Sequence, residues 1–332
     1  MKTHRIFILL SLICLFSCTK PNHTTSGHEG LCSCDSSANR FSSDTAFATV
    51  QEALLGTRFK SFDELKSVVN IKYINNNTDS DSTIEKNSKV CIRQCSNGKE
   101  VVAVLESGIN QGEISDARNG NFWVRLNLLI KSPYAVSKRA ELSKVYLLAR
   151  RRTELYGEGD PAFYDLAQNA AKNINTADMA FKNMRDSTEK GYINSFNHIT
   201  SQAIITSCFS EKLADFIGDS HERYFHPELI TGKFTEDQIS DLDEGPVDNY
   251  VDVINNMWGQ KIGKELKKKY HITRKTLWTP EFLVNYLNDL QSYYSWAFQI
   301  GFKPVKPEDE LVIRFSKKMN LVIHGVFKLE KI

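Results

Sequence analysis

Long apolar runs, glycine-rich loops and an excess of charge of one sign are all missing from this sequence. The chain has 332 residues, of which 17 are glycine and 8 proline, and 41% are hydrophobic. These values exclude a collagen-like, a fully disordered or a multi-span membrane protein and are ordinary for a globular one. The length allows one large domain or two smaller ones. No phosphate-binding glycine loop and no internal repeat occurs in it.

The N-terminus has the features of a secretory signal. A basic start precedes the uncharged apolar run 6–17, whose 12 residues are fewer than the ~20 that span a bilayer. The run ends in Leu15-Phe16-Ser17-Cys18, which resembles the lipobox of bacterial lipoproteins. The resemblance implies that residues 1–17 are removed and that Cys18 becomes acylated, for example with palmitate. The alternative is a secreted protein that is cut nearby and carries no lipid.

The expected location follows from this signal. A lipidated Cys18 would bind the protein to a membrane of the cell envelope without a transmembrane helix. Because Thr19 and not an aspartate follows the cysteine, the lipobox resemblance favours the outer membrane. Cleavage after residue 17 would leave 40 basic and 40 acidic residues. Because these charges balance, we expect no general attraction to nucleic acid or to anionic lipid. The sequence does not identify a protein partner.

Five cysteines follow Cys18, which is an odd number, so they cannot all pair with one another. The pairs Cys32-x-Cys34 and Cys91-x3-Cys95 could form disulfides that staple the N-terminal segment to a strand, since the envelope permits them. They could also be free thiols or, with less suitable spacing, a zinc site. The fifth, Cys208, lies in an apolar segment and is expected to be unreactive core.

Four regions are predicted along the chain. Residues 1–17 are the signal peptide, and residues 18–45, which are polar and poor in apolar side chains, are expected to be a lipidated flexible tether. Residues 46–132 are expected to form a small α+β module. Residues 133–332 are expected to form a mainly α-helical, bundle-like domain that closes with a β-hairpin.

Local patterns place the elements within these regions. In the module, Ser61 and Glu64 form a capping box, and Asn97-Gly98 is a hairpin turn signal between two strands. Residues 122–130 are predicted to be a third strand. In the helical domain we expect a hairpin over 311–315 and 321–327, and the following helices: 135–156, 160–174, 176–187, 190–208, 210–226, 246–269 and 279–300.

Three of these helices carry polar residues on otherwise apolar or buried faces. On the first, Asn194 and His198 share a stripe, because residues four apart lie on the same side of a helix. The second carries the run Asp219-Ser220-His221-Glu222. The third carries Asp248, Asp252, Asn255, Asn256 and Gly259. Adjacent asparagines and a glycine are poor choices for the middle of a helix, so a role other than helix formation is indicated.

The order of these motifs resembles an uncharacterised α-helical domain of secreted bacterial proteins and of the C-termini of some polymorphic toxins. The residues that carry the likeness are Asn194-Ser195-Phe196-Asn197-His198, Asp219-Ser220-His221-Glu222 and Asp252-x2-Asn255-Asn256-x2-Gly259. It covers about residues 190–265. Asn197 stands where that domain has an arginine, and Ser201 where it has a tryptophan. The domain has no known activity, so a degenerate toxin-like domain is one interpretation.

The residue types suggest chemistry of their own. His198, His221 and Asp252 would form a two-histidine, one-carboxylate set suited to zinc or another divalent metal. Glu222 and Asp248 would act as catalytic acid or base beside it, and Asn194, Asp219, Asn255 and Asn256 would orient ligands or hold substrate. In a metal-free version, a histidine and a carboxylate act as an acid–base pair.

The leading hypothesis is therefore a lipid-anchored envelope protein with a hydrolase-like helical domain of unknown substrate, in either a metal-dependent or a metal-free version. The alternative is a non-catalytic envelope lipoprotein whose polar residues form a structural hydrogen-bond network. Such a protein would bind a partner or ligand through the 46–132 module or through a surface at Tyr293, Tyr294 and Trp296. The alternative for these aromatic residues, which their helix favours, is packing in the core.

Overall fold

This computed structural model describes residues 52–74 and 88–325 and has a small antiparallel sheet in its N-terminal part. The order of the sheet is β1 (Asn70–Ile74), β2 (Lys89–Ser96) and β3 (Lys99–Glu106). Asn97 and Gly98, both at positive φ, form the turn between β2 and β3, a conformation that these two residue types tolerate. The predicted hairpin is confirmed. The signal peptide, Cys18 and the tether lie outside the described residues.

Helices make up most of the rest, so the predicted class, mainly α with a small β-containing module, is confirmed. The described part of the chain contains α1 (Phe62–Lys66), α2 (Gln111–Asn119), α3 (Phe122–Lys131), α4 (Pro133–Ser137), α5 (Arg139–Ala149), α6 (Thr153–Tyr156), α7 (Phe163–Lys172), α8 (Ala177–Ala180), α9 (Asn194–Cys208), α10 (Glu211–Phe225), α11 (Glu228–Thr231), α12 (Glu236–Ser240), α13 (Pro246–Lys269), α14 (Pro280–Phe298) and α15 (Glu310–His324). None of these helices combines the length and the apolar content needed to cross a bilayer.

Local signals explain where several helices begin. The side chain of Ser61 accepts a hydrogen bond from the Glu64 amide and starts α1, as the capping box predicts. The Thr279 hydroxyl caps α14 in the same way, and Pro280 occupies its first turn, where no amide hydrogen is needed. Asp248 lies in the first turn of α13, where a carboxylate interacts favourably with the helix dipole.

Two strand predictions are wrong. Residues 122–130 form α3, because Asn121 caps the amides of Trp123 and Val124 and the outer strand comes from β1 instead. The expected closing hairpin is absent from the described residues, since 310–324 form α15. The buried residues Val312, Phe315, Met319 and Val322 are spaced three and four apart, which is helical periodicity. The β-branched residues beside them give short segments of this helix the composition of a strand.

The core has two apolar clusters that meet along α13. One cluster joins α5, α7, α9, α14 and α15. The other joins the sheet to α13, and there the Trp258 indole nitrogen donates to the Gln94 side chain of β2 at 2.6 Å. Residues on both sides of position 132 therefore contribute to one core, and α13 is its central element.

The cysteines divide between the sheet and the helices. Cys91 on β2 takes part in a disulfide, whereas Cys32 and Cys34, which were expected to share in such a link, lie outside the described residues. Cys208 is buried in the apolar cluster of α9, and burial raises the pKa of its thiol. A thiol held protonated in this way is a poor nucleophile.

Candidate functional site

The site is built where α9 packs against α13. Two glycines of α13 allow the backbones of these helices to approach closely. A Cβ atom on Gly259 would lie 2.7 Å from the carbonyl oxygen of Ile199, and one on Gly263 would lie 2.6 Å from that of Ala203. Neither position has room for a larger residue, because each distance is shorter than van der Waals contact. The glycines that weaken α13 locally are therefore explained by backbone packing, which brings the polar stripes of the two helices together.

His198 lies at the centre of this contact. Its Nε2 is 3.1 Å from a carboxylate oxygen of Asp252, and its Nδ1 is 3.0 Å from the amide oxygen of Asn256. Burial opposes a charge on the ring, but Asp252 outweighs it and raises the pKa of His198 to about 9. At neutral pH the ring is an imidazolium that donates both of its hydrogens to α13.

A second row of contacts extends this pair toward the surface. The Asn194 amide donates to Asp248 at 3.2 Å and to Asp252 at 2.9 Å, so that one side chain bridges two carboxylates. The Lys190 ammonium lies 3.1 Å from the other oxygen of Asp248. Two bases, Lys190 and His198, thus face two acids, and the like charges of the acids are compensated within the site.

A distortion before α9 directs Lys190 into the site. Residues Glu189–Ile193 form a π-turn in which Gly191 has non-helical dihedral angles. A Cβ atom there would lie 2.1 Å from the Asp186 carbonyl oxygen, so only glycine fits. Such π-turns are frequent at functional sites. Sequence reasoning missed Lys190, although its spacing of four residues from Asn194 placed it on the same stripe.

Glu222 of α10 is the third acid of the site and differs from the other two. It is 3% exposed, and its Oε1 atom has no hydrogen-bond partner among the described residues. Burial, reinforced by the charge of Asp252, raises the pKa of Glu222 to about 8. Burial also raises the pKa of Asp248, to about 7, with Asp252 adding to the shift. Two carboxyls that can exchange protons near neutral pH therefore lie around one imidazolium.

His221 and Asp219, on the same helix as Glu222, bond outside this group. The Nδ1 atom of His221 lies 2.9 Å from the Gln111 side chain of α2. Burial and the nearby charge of His198 lower the pKa of His221 to about 4, so the ring is neutral at pH 7. Asp219 lies 3.6 Å from Arg223, and burial together with Asp215 raises its pKa to about 7.

Asn255 points to a different side of α13 from its neighbour Asn256. Its side chain accepts from the Leu54 amide and donates to the Leu54 carbonyl, both at 2.9 Å. The Ser195 hydroxyl reaches the same carbonyl at 2.9 Å. This asparagine therefore holds the N-terminal segment 52–55 against the helices, where buried backbone groups need partners.

The predicted site residues thus separate into groups. The structure brings together Asn194, His198, Asp248, Asp252 and Asn256 in one bonded cluster, with Glu222 beside it. It directs His221, Asp219 and Asn255 to other partners. In residues 52–74 and 88–325, no group of three or more His, Cys, Asp or Glu is arranged to hold a metal ion.

A cavity of about 210 Å³ lies elsewhere, lined in part by Glu52, Lys99, Trp258, Tyr293 and Trp296. The Lys99 ammonium is 3.0 Å from Glu52 and 5.7 Å from the centroid of the Trp296 ring. No residue of the bonded cluster lines this cavity. Of the three aromatic residues near the end of α14, Tyr294 is buried, as the core-packing alternative predicts, and stacks on Phe196 with ring centroids 4.2 Å apart.

Comparison with other proteins gives no relative: no family model, no curated protein and no solved structure matches this chain.

Proposed function

We propose that this chain is a lipid-anchored protein of the bacterial cell envelope, acylated at Cys18 and located at the outer membrane. Its helical domain would hydrolyse a component of the envelope by acid–base catalysis. In this proposal Glu222 is the acid, Asp248 is the base and the imidazolium of His198, held in place by Asp252, stabilises developing negative charge. The observation that carries it is Glu222, a buried carboxyl without a bond to its Oε1 atom.

The chemistry follows from the protonation states. Asp248, as a carboxylate, would take a proton from a water molecule whose oxygen attacks the electrophilic carbon of the substrate. Glu222, still protonated at neutral pH because its pKa is raised to about 8, would give its proton to the leaving group as the scissile bond breaks. Two carboxyls in different environments can divide the acid and base roles in this way. The imidazolium of His198 would supply fixed positive charge.

The contacts of His198 favour this metal-free version over a zinc site of His198, His221 and Asp252. A metal ligand needs a free nitrogen lone pair, but both ring nitrogens of His198 are engaged, at 3.1 Å and 3.0 Å. Zinc would have to displace Asp252 or Asn256 from one of them, and it would also need His221 to approach. The proposal therefore assigns Asn194 and Asn256 to positioning Asp252 and His198.

Activity and metal content test this proposal together. The purified protein is assayed against peptidoglycan, envelope glycan, ester lipid and unfolded protein, and its metals are measured by elemental analysis. We expect hydrolysis of one class by metal-free protein, with kcat/KM falling above about pH 8 as Glu222 loses its proton. Stoichiometric zinc with activity lost to chelators would instead support the metal site. Inactivity against every class would count against catalysis.

A second candidate function is ligand binding without catalysis, and the cavity near Trp296 favours it. Trp296 is 39% exposed, and the buried hydroxyl of Tyr293 has no hydrogen-bond partner among the described residues. An aromatic wall with a few polar groups, here Glu52, Lys99 and Lys261, is typical of small-molecule sites. The cavity joins the 46–132 module to α14, which are the two regions expected to bind a ligand.

Fluorescence titration tests this second candidate. Soluble cell-wall glycan fragments are added to the protein while tryptophan emission is recorded. We expect a saturable change that Trp296→Ala weakens at least tenfold and that Trp123→Phe, at an exposed tryptophan outside the cavity, leaves unchanged. A change that persists in Trp296→Ala, or no saturable change, would contradict this use of the cavity.

A further inference from the structure

Helix α3 exposes an unusual amount of apolar surface. It has the sequence Phe-Trp-Val-Arg-Leu-Asn-Leu-Leu-Ile-Lys, and none of its residues is buried. Phe122 is 68% exposed, Trp123 71% and Ile130 73%. Single exposed apolar side chains are common, but a contiguous group marks a surface that binds a partner or a membrane. Since α3 contributes little to the core, its apolar residues require another explanation.

The helix is held in place although it is exposed. Asn121 caps its first turn, and Lys131 at its end forms an ion pair with Glu113 of α2 at 2.6 Å. Phe122 and Trp123 pack edge to face, with their ring centroids 5.4 Å apart. The apolar surface is therefore presented by a folded helix that is capped at its start and tied to α2 at its end.

Basic residues are concentrated around this helix. Residues 118–152 contain nine lysines and arginines and one acid, Glu141, whereas the chain without its signal is expected to be nearly neutral. Within the described part of the chain, five of the nine bases have no ion pair with a carboxylate: Arg118, Arg125, Arg139, Lys144 and Arg150. The other four are paired with Glu113, Glu141, Glu154 or Asp165. In space, Arg125 of α3 donates to the Arg118 carbonyl. Arg118 and Arg150 both lie over the Tyr146 ring, so these three guanidinium groups form a positive patch beside the apolar helix.

The exposed apolar residues and the nearby basic residues together favour one kind of partner. Basic side chains around exposed leucine, isoleucine and aromatic residues are the composition of helices that lie in the interface of anionic membranes. Tryptophan is especially favourable at that depth. Nucleic acid would use the basic residues but would leave Leu129 and Ile130 exposed, and a second copy of the same patch would bring like charges together.

We propose that α3 docks on an anionic lipid surface, with Phe122, Trp123 and Ile130 at the acyl boundary and the neighbouring arginines at the phosphates. A helix of this length covers about 15 Å in the plane of the membrane. The docking goes beyond the proposed hydrolysis and does not require it. It would add to the proposed lipid at Cys18 by holding the helical domain itself against the bilayer.

Vesicle sedimentation tests the docking apart from the acyl anchor. The chain without residues 1–18 retains the whole compact unit Phe47–Ile332. It is mixed with vesicles of phosphatidylcholine, either alone or with about one third phosphatidylglycerol. We expect binding to the anionic vesicles only, weakened at least tenfold in Trp123→Glu/Ile130→Glu. The matched control Leu277→Glu, at a leucine that is 66% exposed elsewhere, should bind as the parent does.

A second measurement reports which residue enters the lipid. Brominated acyl chains quench tryptophans that reach them, and Trp258 and Trp278 are buried in the protein. We expect quenching in the parent and its loss in Trp123→Phe, a variant that keeps the apolar surface. Equal quenching in both proteins would overturn the proposal. So would equal binding to neutral and anionic vesicles, or a dimer that the double variant dissolves without any vesicle binding.

Discussion

Glu222→Gln is expected to stabilise the folded protein at alkaline pH while lowering any hydrolytic activity at least 100-fold. A glutamine has nearly the same shape but carries no charge at any pH. The variant therefore removes the cost of ionising a buried carboxyl and also removes the proton that the proposed mechanism transfers. A gain in stability coupled to a loss of activity is typical of residues kept for function.

The pH dependence follows from the two pKa values of this carboxyl. The ordinary pKa is 4.5, and the folded state raises it to about 8. Between these values the unfolded chain loses the proton and the folded chain keeps it, so stability falls as pH rises. Well above pH 8 the whole cost is present, on the order of 5 kcal/mol for this shift at about 1.4 kcal/mol per pKa unit. The variant should gain this amount at pH 9 and little at pH 4.

Urea unfolding across this pH range measures the effect. His198 contributes a separate slope, because its pKa is raised to about 9. The stability from its charged form is complete below its ordinary 6.5 and is lost as pH rises through 9. This slope should remain in Glu222→Gln. The control Glu236→Gln, at an exposed glutamate, should behave as the parent. A loss of stability at every pH would show that Glu222 belongs to a structural network.

The double variant Gly259→Ala/Gly263→Ala is expected to lose roughly 2–6 kcal/mol of stability, the sum of two overpacked positions. Each new methyl group would meet a backbone carbonyl of α9, at 2.7 Å from Ile199 and 2.6 Å from Ala203. Backbone cannot rotate away as a side chain can, so the two helices must separate. Alanine favours a helix over glycine by up to ~1 kcal/mol per position, so helix propensity alone would stabilise the variant. A net loss of stability would therefore report the cost of separating α9 from α13.

Gly218→Ala is the matched control for this variant. It also lies in the middle of a helix, but its added methyl would meet only side-chain amides, at 3.3 Å on Gln202 and 3.4 Å on Asn256. We expect a change within about 1 kcal/mol, because such groups can shift. The double variant should also lower the pKa of His198, measured by NMR, as Asp252 moves away. Unchanged stability and an unchanged His198 pKa would refute the role given to the two glycines.

Local signals were sufficient for most of the fold. The Asn97-Gly98 turn, the caps at Ser61 and Thr279 and the apolar periodicity of α13 and α14 act within a few residues of chain, so they could be interpreted without the rest. The wrong strands, 122–130 and 311–315, are rich in large apolar and β-branched residues. Short windows of this composition fit a strand and a helix almost equally well. At 122–130 the Asn121 cap decided for a helix, whereas at 311–315 the burial of Val312 and Phe315 in the core decided.

The site was predicted only in part, for a geometric reason. Sequence spacing placed Asp248, Asp252 and Asn255 on one stripe of α13, but Asn256 is the residue that contacts His198. Adjacent helical residues point about 100° apart, so Asn255 faces Leu54 instead. Sequence spacing can define a stripe of residues along a helix. It cannot show which edge of that stripe will contact a neighbouring helix.

By itself, the sequence determined the helical class, the hairpin between β2 and β3 and the segments that carry the polar residues. Only the tertiary structure decided that His198 pairs with Asp252, that Glu222 is buried beside this pair and that α3 stays exposed. The pairing of His198 with Asp252 depends on the crossing of α9 and α13, which two glycines allow. Helix crossings arise from contacts between residues about 60 positions apart in the chain, and no local pattern records them.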